Sequence, residues 1–240
     1  MAVGYLTEQN INIARGLIRG ASIVHKFGRN PSIGTAPETI WMYGGTYTYL
    51  TSASTVYISG ADAQDSAAGT GARTVTVQGL DVNYNEIEET LTVDGAVSTK
   101  SFLRVYRAFV ASAGSLQTNK GAVLVSTGAS GGGTVLADIG IIGTGTTFGL
   151  GQTQLALYTI PAGKTGYLCN WNVGIGAYND TATATLYTRA TGNGLIFRAR
   201  DIMDVPGGLH QRTYTVPFAL PEKTDIEIRA IATTGTTVSS

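Results

Sequence analysis

Residues 74–93 read Thr-Val-Thr-Val-Gln-Gly-Leu-Asp-Val-Asn-Tyr-Asn-Glu-Ile-Glu-Glu-Thr-Leu-Thr-Val, and their pattern decides the fold class. Val75 and Val77 alternate with Thr74, Thr76 and Gln78, and Ile87, Leu91 and Val93 alternate with Glu88, Thr90 and Thr92. Successive side chains of a strand point to opposite faces, so each half of this stretch has one dry side. Gly79 and residues 81–85 between the halves have turn chemistry. The stretch predicts a β-hairpin.

The same grammar runs through the chain. Strands are expected near residues 47–50, 55–59, 102–110 and 122–125. Residues 102–110 are apolar in both phases, which marks a central strand or one that faces a neighbour. Glycine-rich breaks at 126–133 and 143–151 bracket the apolar run 135–142. Further on, Tyr167, Cys169, Trp171, Val173 and Ile175 occupy every second position, with Leu168 the one exception. That is a half-buried strand, with Cys169 and Trp171 on its dry side. Ala182, Ala184 and Leu186 give another, as do Leu195, Phe197 and Ala199, and Ile226, Ile228 and Ala230. His210, Arg212, Tyr214, Val216 and Phe218 share one face of a strand whose first half is too polar for a core. Short alternating strands without intervening helices predict a mainly β chain with two antiparallel β-sandwich or jelly-roll-like domains. The expected division is a helix and anchoring arm at 1–44, a sandwich at 45–133, a connection with one strand at 134–151 and a second sandwich at 152–240. The polar tail beyond Ile231 has no period and is expected either to be loose or to pair with a neighbour.

One helical pattern precedes these strands. Ile11, Ala14, Ile18 and Ala21 share a face over residues 7–24, with Thr7 as N-cap and Glu8 in the first turn. Gly16 and Gly20 each cost about 1 kcal/mol in a helix interior. A helix that weak needs something to pack against. Residues 25–43 then read as an extended arm interrupted by Gly28, Pro31, Gly34 and Pro37. Arg15, Arg19, Lys26, Phe27, Arg29, Trp41 and Tyr43 are the candidate interface residues, since Trp, Tyr and Arg are types that anchor protein contacts. The alternative is that Trp41 and Tyr43 plug the end of the following β domain.

Composition narrows the function. The 240 residues suffice for a core without disulfides or metals. Only 13% are charged, about half the usual share. Sixteen basic residues balance sixteen acidic ones, so there is no general electrostatic attraction to nucleic acid or anionic membrane, and association is favoured. Cys169 has no intramolecular partner, and His25 and His210 are the only histidines, so zinc-type spacing is missing. The first residues do not read as a signal peptide, and no window is apolar enough for a membrane span. No cofactor is expected.

Catalytic patterns are weak. Gly128-Ala-Ser130-Gly-Gly132 fits a nucleophile elbow, yet a glycine run and a β-like segment follow where a helix is needed. Glu86, Glu88 and Glu89 read as solvated or interface charge rather than a glycosidase pair. Asp62 and Asp65 lie in a loop without the fixed spacing of a calcium site. A carbohydrate-binding module would need an exposed aromatic platform, and Trp171 falls on the buried phase.

Six stretches carry a further signal: His25-Lys-Phe-Gly-Arg-Asn-Pro31, Glu38-Thr-Ile-Trp41 leading into Gly44-Gly-Thr-Tyr47, residues 69–81 with Tyr84-Asn-Glu-Ile87, Ser101-Phe-Leu-Arg-Val105, Ile160-Pro-Ala-Gly-Lys164 and residues 220–228. Together they resemble a family of structural proteins from tailed-phage virions. The resemblance implies a non-enzymatic virion component, synthesised and assembled in the host cytoplasm. A capsid decoration or cement protein is the leading expectation, homotrimeric and bound to the major capsid protein. A tail or fibre-anchoring protein, associated with tail or portal components, is the alternative. Neither role implies contact with nucleic acid or membrane. The polar end at Ser240 departs from the final apolar strand expected of such a domain.

Overall fold

The computed structural model describes residues 3–143, 148–176, 180–191, 196–232 and 236–239. Helix α1 (Val3–Ala14) comes first, followed by β1 (Arg29–Ile33) and β2 (Glu38–Thr39). A first β unit contains β3 (Tyr57–Gly60), β4 (Ala72–Leu80), β5 (Glu86–Thr92), β6 (Arg104–Ala113), β7 (Val123–Ser126) and β8 (Val135–Ile139). β9 (Ile141–Ile142) and β10 (Phe148–Gly149) form a short antiparallel pair. The remaining strands are β11 (Leu157–Thr159), β12 (Gly166–Ile175), β13 (Thr181–Ala190), β14 (Arg198–Pro206), β15 (Gly208–Leu220), β16 (Thr224–Ala232) and β17 (Thr236–Ser239). The chain is mainly β, a set of antiparallel sheets in sandwich-like layers with one short helix.

The hairpin forms as its alternation predicts, with Thr74 opposite Thr92 and Leu80 opposite Glu86. Asp81 shapes its turn: Oδ1 accepts the Asn83 and Asn85 N–H groups at 2.8 and 2.9 Å, while Tyr84 adopts φ 66°. Sheets β5-β4-β6 and β3-β7-β8 close around Val56, Val75, Val77, Phe102, Val105 and Leu136. β4 is the central strand, not β6. Residues 151–153 cover the outer edge of β6: Val110 N–H reaches the Gly151 carbonyl at 2.8 Å and Thr153 N–H the Ala108 carbonyl at 2.9 Å. β8, expected in the connection, is buried along its length in this core. Residues 47–50 form no strand. The Tyr47 N–H is taken instead by Thr39 Oγ1 at 2.8 Å.

The second unit corrects the expected arm. β1 lies at the edge of the sheet β1-β17-β12-β15, and β2 pairs with β16 in the sheet that also holds β11, β13 and β14. Ile33, Ile40, Trp171, Val173, Leu186 and Val238 pack between these sheets. The Ile40 N–H donates to the Ile228 carbonyl at 3.0 Å, and the Ile40 carbonyl accepts from Ala156 at 2.9 Å. Gly28 fits only because it lacks a side chain, as a Cβ there would meet the Ile40 oxygen at 2.4 Å. The second sandwich therefore takes its opening strands from residues 29–39, and the first unit is an insertion within it. The tail is also built in: β17 pairs with both β1 and β12, and Val238 is fully buried. The expected positions at Leu195, Thr233, Thr234, Gly235 and Ser240 lie outside the described residues.

Cys169 is exposed rather than buried. The cause is a change of phase within β12, where Leu168 faces Phe218 but Asn170 already faces Thr213. The bulged partner lets Leu168 pack on the core from one phase, and Trp171, Val173 and Ile175 from the other. Tyr167 and Cys169 consequently point outward. Helix α1 also differs from expectation, spanning Val3–Ala14, so Thr7 lies inside it rather than capping it. Gly16, at φ 72°, ends it: Leu17 N–H reaches the Asn12 carbonyl at 2.8 Å and Gly16 N–H the Ile13 carbonyl at 2.9 Å, a Schellman closure.

Candidate interaction surface

Beyond the Gly16 stop the chain leaves the body. Every residue from 14 to 25 is exposed, including the candidate residues Arg15 and Arg19, and Leu17 is 67% exposed. Ile18, Ile23 and Val24 join it as uncovered aliphatics. Lys26 ends this projection. Its half-buried side chain donates from Nζ to the Tyr106 carbonyl on β6, and burial, then the neighbouring Arg107 guanidinium, pull the ammonium down to about 7. The next residue is fixed by Leu155, whose N–H donates to the Phe27 carbonyl at 2.9 Å.

The candidate residues do not converge on one patch. Trp41 is 3% exposed, packed edge-on against Tyr47 and among Val135, Leu155 and Leu157, so it is a core residue. Tyr43 lies over it at 5.3 Å and stays exposed. Phe27 and Arg29, by contrast, line a groove of about 410 Å³ that also involves Ile142, Gln154, Asn172 and Leu209. Phe27, Ile142 and Leu209 give it exposed apolar walls, Leu209 being 72% exposed. Two polar groups there lack partners among the described residues, the Gln154 oxygen and the Arg29 guanidinium. Gln154 is 7% exposed, and its Oε1 is buried without a hydrogen-bond partner among the described residues. None of the ion pairs among the described residues involves the Arg29 guanidinium.

A second uncovered region is the flank made by β15, whose residues 209–219 are exposed or half-buried on both faces, with Val216 80% exposed. β15 is an edge strand, and unpaired edges attract other chains. Pro217 and the bulge opposite Leu168 break its regularity.

The densest chemistry of the molecule is the joint between its two units. Asp225 accepts from Arg104 at 2.9 and 3.1 Å, from Arg189 at 3.0 and 2.6 Å and from Thr159 Oγ1 at 2.6 Å. Glu227 binds Arg229 at two points and accepts from Thr39 Oγ1 at 2.5 Å. Tyr49 and Phe197 lie under these guanidinium groups, Arg189 standing 4.3 and 4.5 Å from their ring centres. Burial pushes the Tyr49 phenol well above its ordinary value. The charges are consumed by one another, which fits a structural clamp. The sequence hid it, because Asp225, Glu227 and Arg229 alternate with Ile226, Ile228 and Ala230 as residues of a wet face would.

The remaining motif residues have local roles. Ser130 sits in a short 3-10 turn (Ala129–Gly131) at φ 54° and ψ 37°, and β8 follows where an elbow would have a helix. The Asp65 carboxylate is filled by the N–H groups of Ala72, Lys120 and Gly121 at 2.7–3.0 Å. Glu89 accepts from the Thr99 and Lys100 N–H groups, and Glu88 from Gln78. Among the described residues no group of three or more His, Cys, Asp or Glu is placed to hold a metal, and no helix is long and apolar enough to cross a membrane. No protein-family model matches the chain, and comparison with curated proteins finds no match.

Proposed function

We propose that this chain is a non-enzymatic structural subunit of a tailed-phage virion, a decoration or cement protein that stabilises the head. The observation that carries this reading is the segment at residues 14–25, which exposes Leu17, Ile18, Ile23 and Val24 on a backbone that leaves the body. Aliphatic side chains gain about 25 cal/mol for each Å² removed from water, so such a segment is stabilised by a neighbour. The motif resemblance and the low charge support the same reading, and repetition on a symmetric particle multiplies modest contacts. The alternative role at the tail or a fibre anchor draws on the open β15 flank. Locating the chain in purified particles tests both. Occupancy of the many equivalent shell positions supports decoration, a few copies at one vertex supports the tail, and absence from particles overturns the proposal.

A further inference from the structure

We infer that the open flank of the second sandwich binds an acidic saccharide, through Arg198, Arg200 and Arg212 set around the aromatic pair Tyr214 and Phe218. β14 and β15 are the terminal strands of the two facing sheets. Asp201 on β14 ties them together. Its Oδ2 accepts from the Tyr214 hydroxyl at 2.6 Å and Trp171 Nε1 at 3.2 Å and lies 3.4 Å from Arg212 Nε, while Oδ1 accepts the Ile202 N–H at 2.9 Å. The carboxylate is thus spent on positioning its neighbours. Arg200 Nε donates to Thr188 Oγ1 at 2.7 Å, and Thr188 is the strand partner of Arg198. Arg198 and Arg200 therefore emerge at the same end of β14, both exposed, and none of the ion pairs among the described residues involves either. Asp204, the other acid of β14, accepts from Thr183 Oγ1 at 2.7 Å, further along the strand. Three arginines around one carboxylate make a local positive excess in a chain of zero net charge.

The chemistry of these groups selects the ligand. Guanidinium forks match carboxylate and sulfate groups in two-point contacts. The Tyr214 and Phe218 ring centres lie 4.5 Å apart with their planes at 58°, and Phe218 is 40% exposed. The negative face of an aromatic ring attracts the weakly positive C–H groups of a sugar ring. This pair provides the exposed aromatic platform that buried Trp171 does not. A peptide strand fits less well. Pro217 and the bulge opposite Leu168 interrupt β15, and a register shift between Leu186 and Tyr187 interrupts the pairing of β14, so neither edge offers a regular row of backbone groups. A nucleic acid also fits less well, because the positive excess is confined to one end of the flank rather than drawn out as a backbone track.

The test is calorimetric titration of the purified full-length chain with three oligosaccharides: oligogalacturonate, which carries carboxylates, dextran sulfate, which carries sulfates, and neutral dextran. Saturable binding of at least one charged sugar and none of dextran is expected, and the sugar bound identifies the anion. Arg198→Gln combined with Arg200→Gln is expected to weaken binding by roughly tenfold. Phe218→Leu, which keeps the bulk but removes the ring, is expected to weaken it several-fold, with circular dichroism unchanged in both. Arg198→Gln alone, at an exposed position, gives the same direction of change should the double variant fold poorly. No binding of either charged sugar, equal binding of dextran, or variants that bind like the parent would overturn the inference. So would tighter binding of polyglutamate or single-stranded DNA than of the charged sugars. The virion reading is scored separately on particles, so a chain that occupies particles but binds no sugar defeats this inference alone.

Discussion

Arg104, from the inserted β unit, binds Asp225, from the enclosing sandwich, through two parallel hydrogen bonds of 2.9 and 3.1 Å. Both side chains are almost fully buried, so the pair joins the two units where water does not screen it. Arg104 also donates from Nη1 to the Leu50 and Leu103 carbonyls.

Breaking such a pair on one side is costly, since the survivor stays buried without its counter-charge. Asp225→Asn is expected to lower unfolding stability by about 3–5 kcal/mol, as it withdraws the negative partner of both Arg104 and Arg189. Arg104→Met should cost less, because Arg189 and Thr159 still hold the carboxylate. Urea titrations of the two variants give the order.

Asp138 provides a pH signature. It is buried on β8 with Oδ1 unpaired among the described residues, and burial raises its carboxyl to about 6. The folded chain thus holds this proton more tightly than the unfolded one. Its contribution to stability is therefore greatest below about pH 4 and declines as pH rises to about 6, then levels. Asp138→Asn should stabilise the protein by about 1–3 kcal/mol at pH 8 and leave it nearly unchanged at pH 4. Thermal melts at the two pH values decide it.

The phase change in β12 predicts opposite behaviour for two residues on the same strand. Cys169 should react fully with a thiol reagent in the native protein, without denaturant. Trp171, packed in the core and donating to Asp201 at 3.2 Å, should cost about 3–5 kcal/mol when cut to Ala. A protected thiol or a neutral Trp171→Ala would show that the strand keeps one phase.

Truncation distinguishes the projecting segment from the woven one. Deleting residues 1–24 should leave the melting transition in place, because residues 14–24 are exposed throughout. Deleting residues 1–43 removes β1, β2 and Trp41, and should unfold the second sandwich. Circular dichroism on both variants checks the contrast.

The hairpin at residues 74–93 was legible because its partners are neighbours in sequence and its turn residues lie between them. Cys169 was misplaced because the register of β12 is set by extra residues in β15, a long-range fact that alternation does not carry. β1 and β2 were invisible for the same reason, as Arg29 pairs with Ser239 and Glu38 with Ala230. In the groove, Phe27 and Arg29 were found by residue type. Gln154 and Leu209 were not, since an isolated Gln or Leu has no pattern until two distant segments enclose it.

The placement of β17 between β1 and β12 sets an order of events during synthesis. The inserted unit has all its strands by Ile139 and can fold while the ribosome is still working. The enclosing sheet must wait until Val238 has been made. Until then β1 trails as an unmatched ribbon, so this half of the molecule becomes native only after the inserted unit is complete and β17 has emerged.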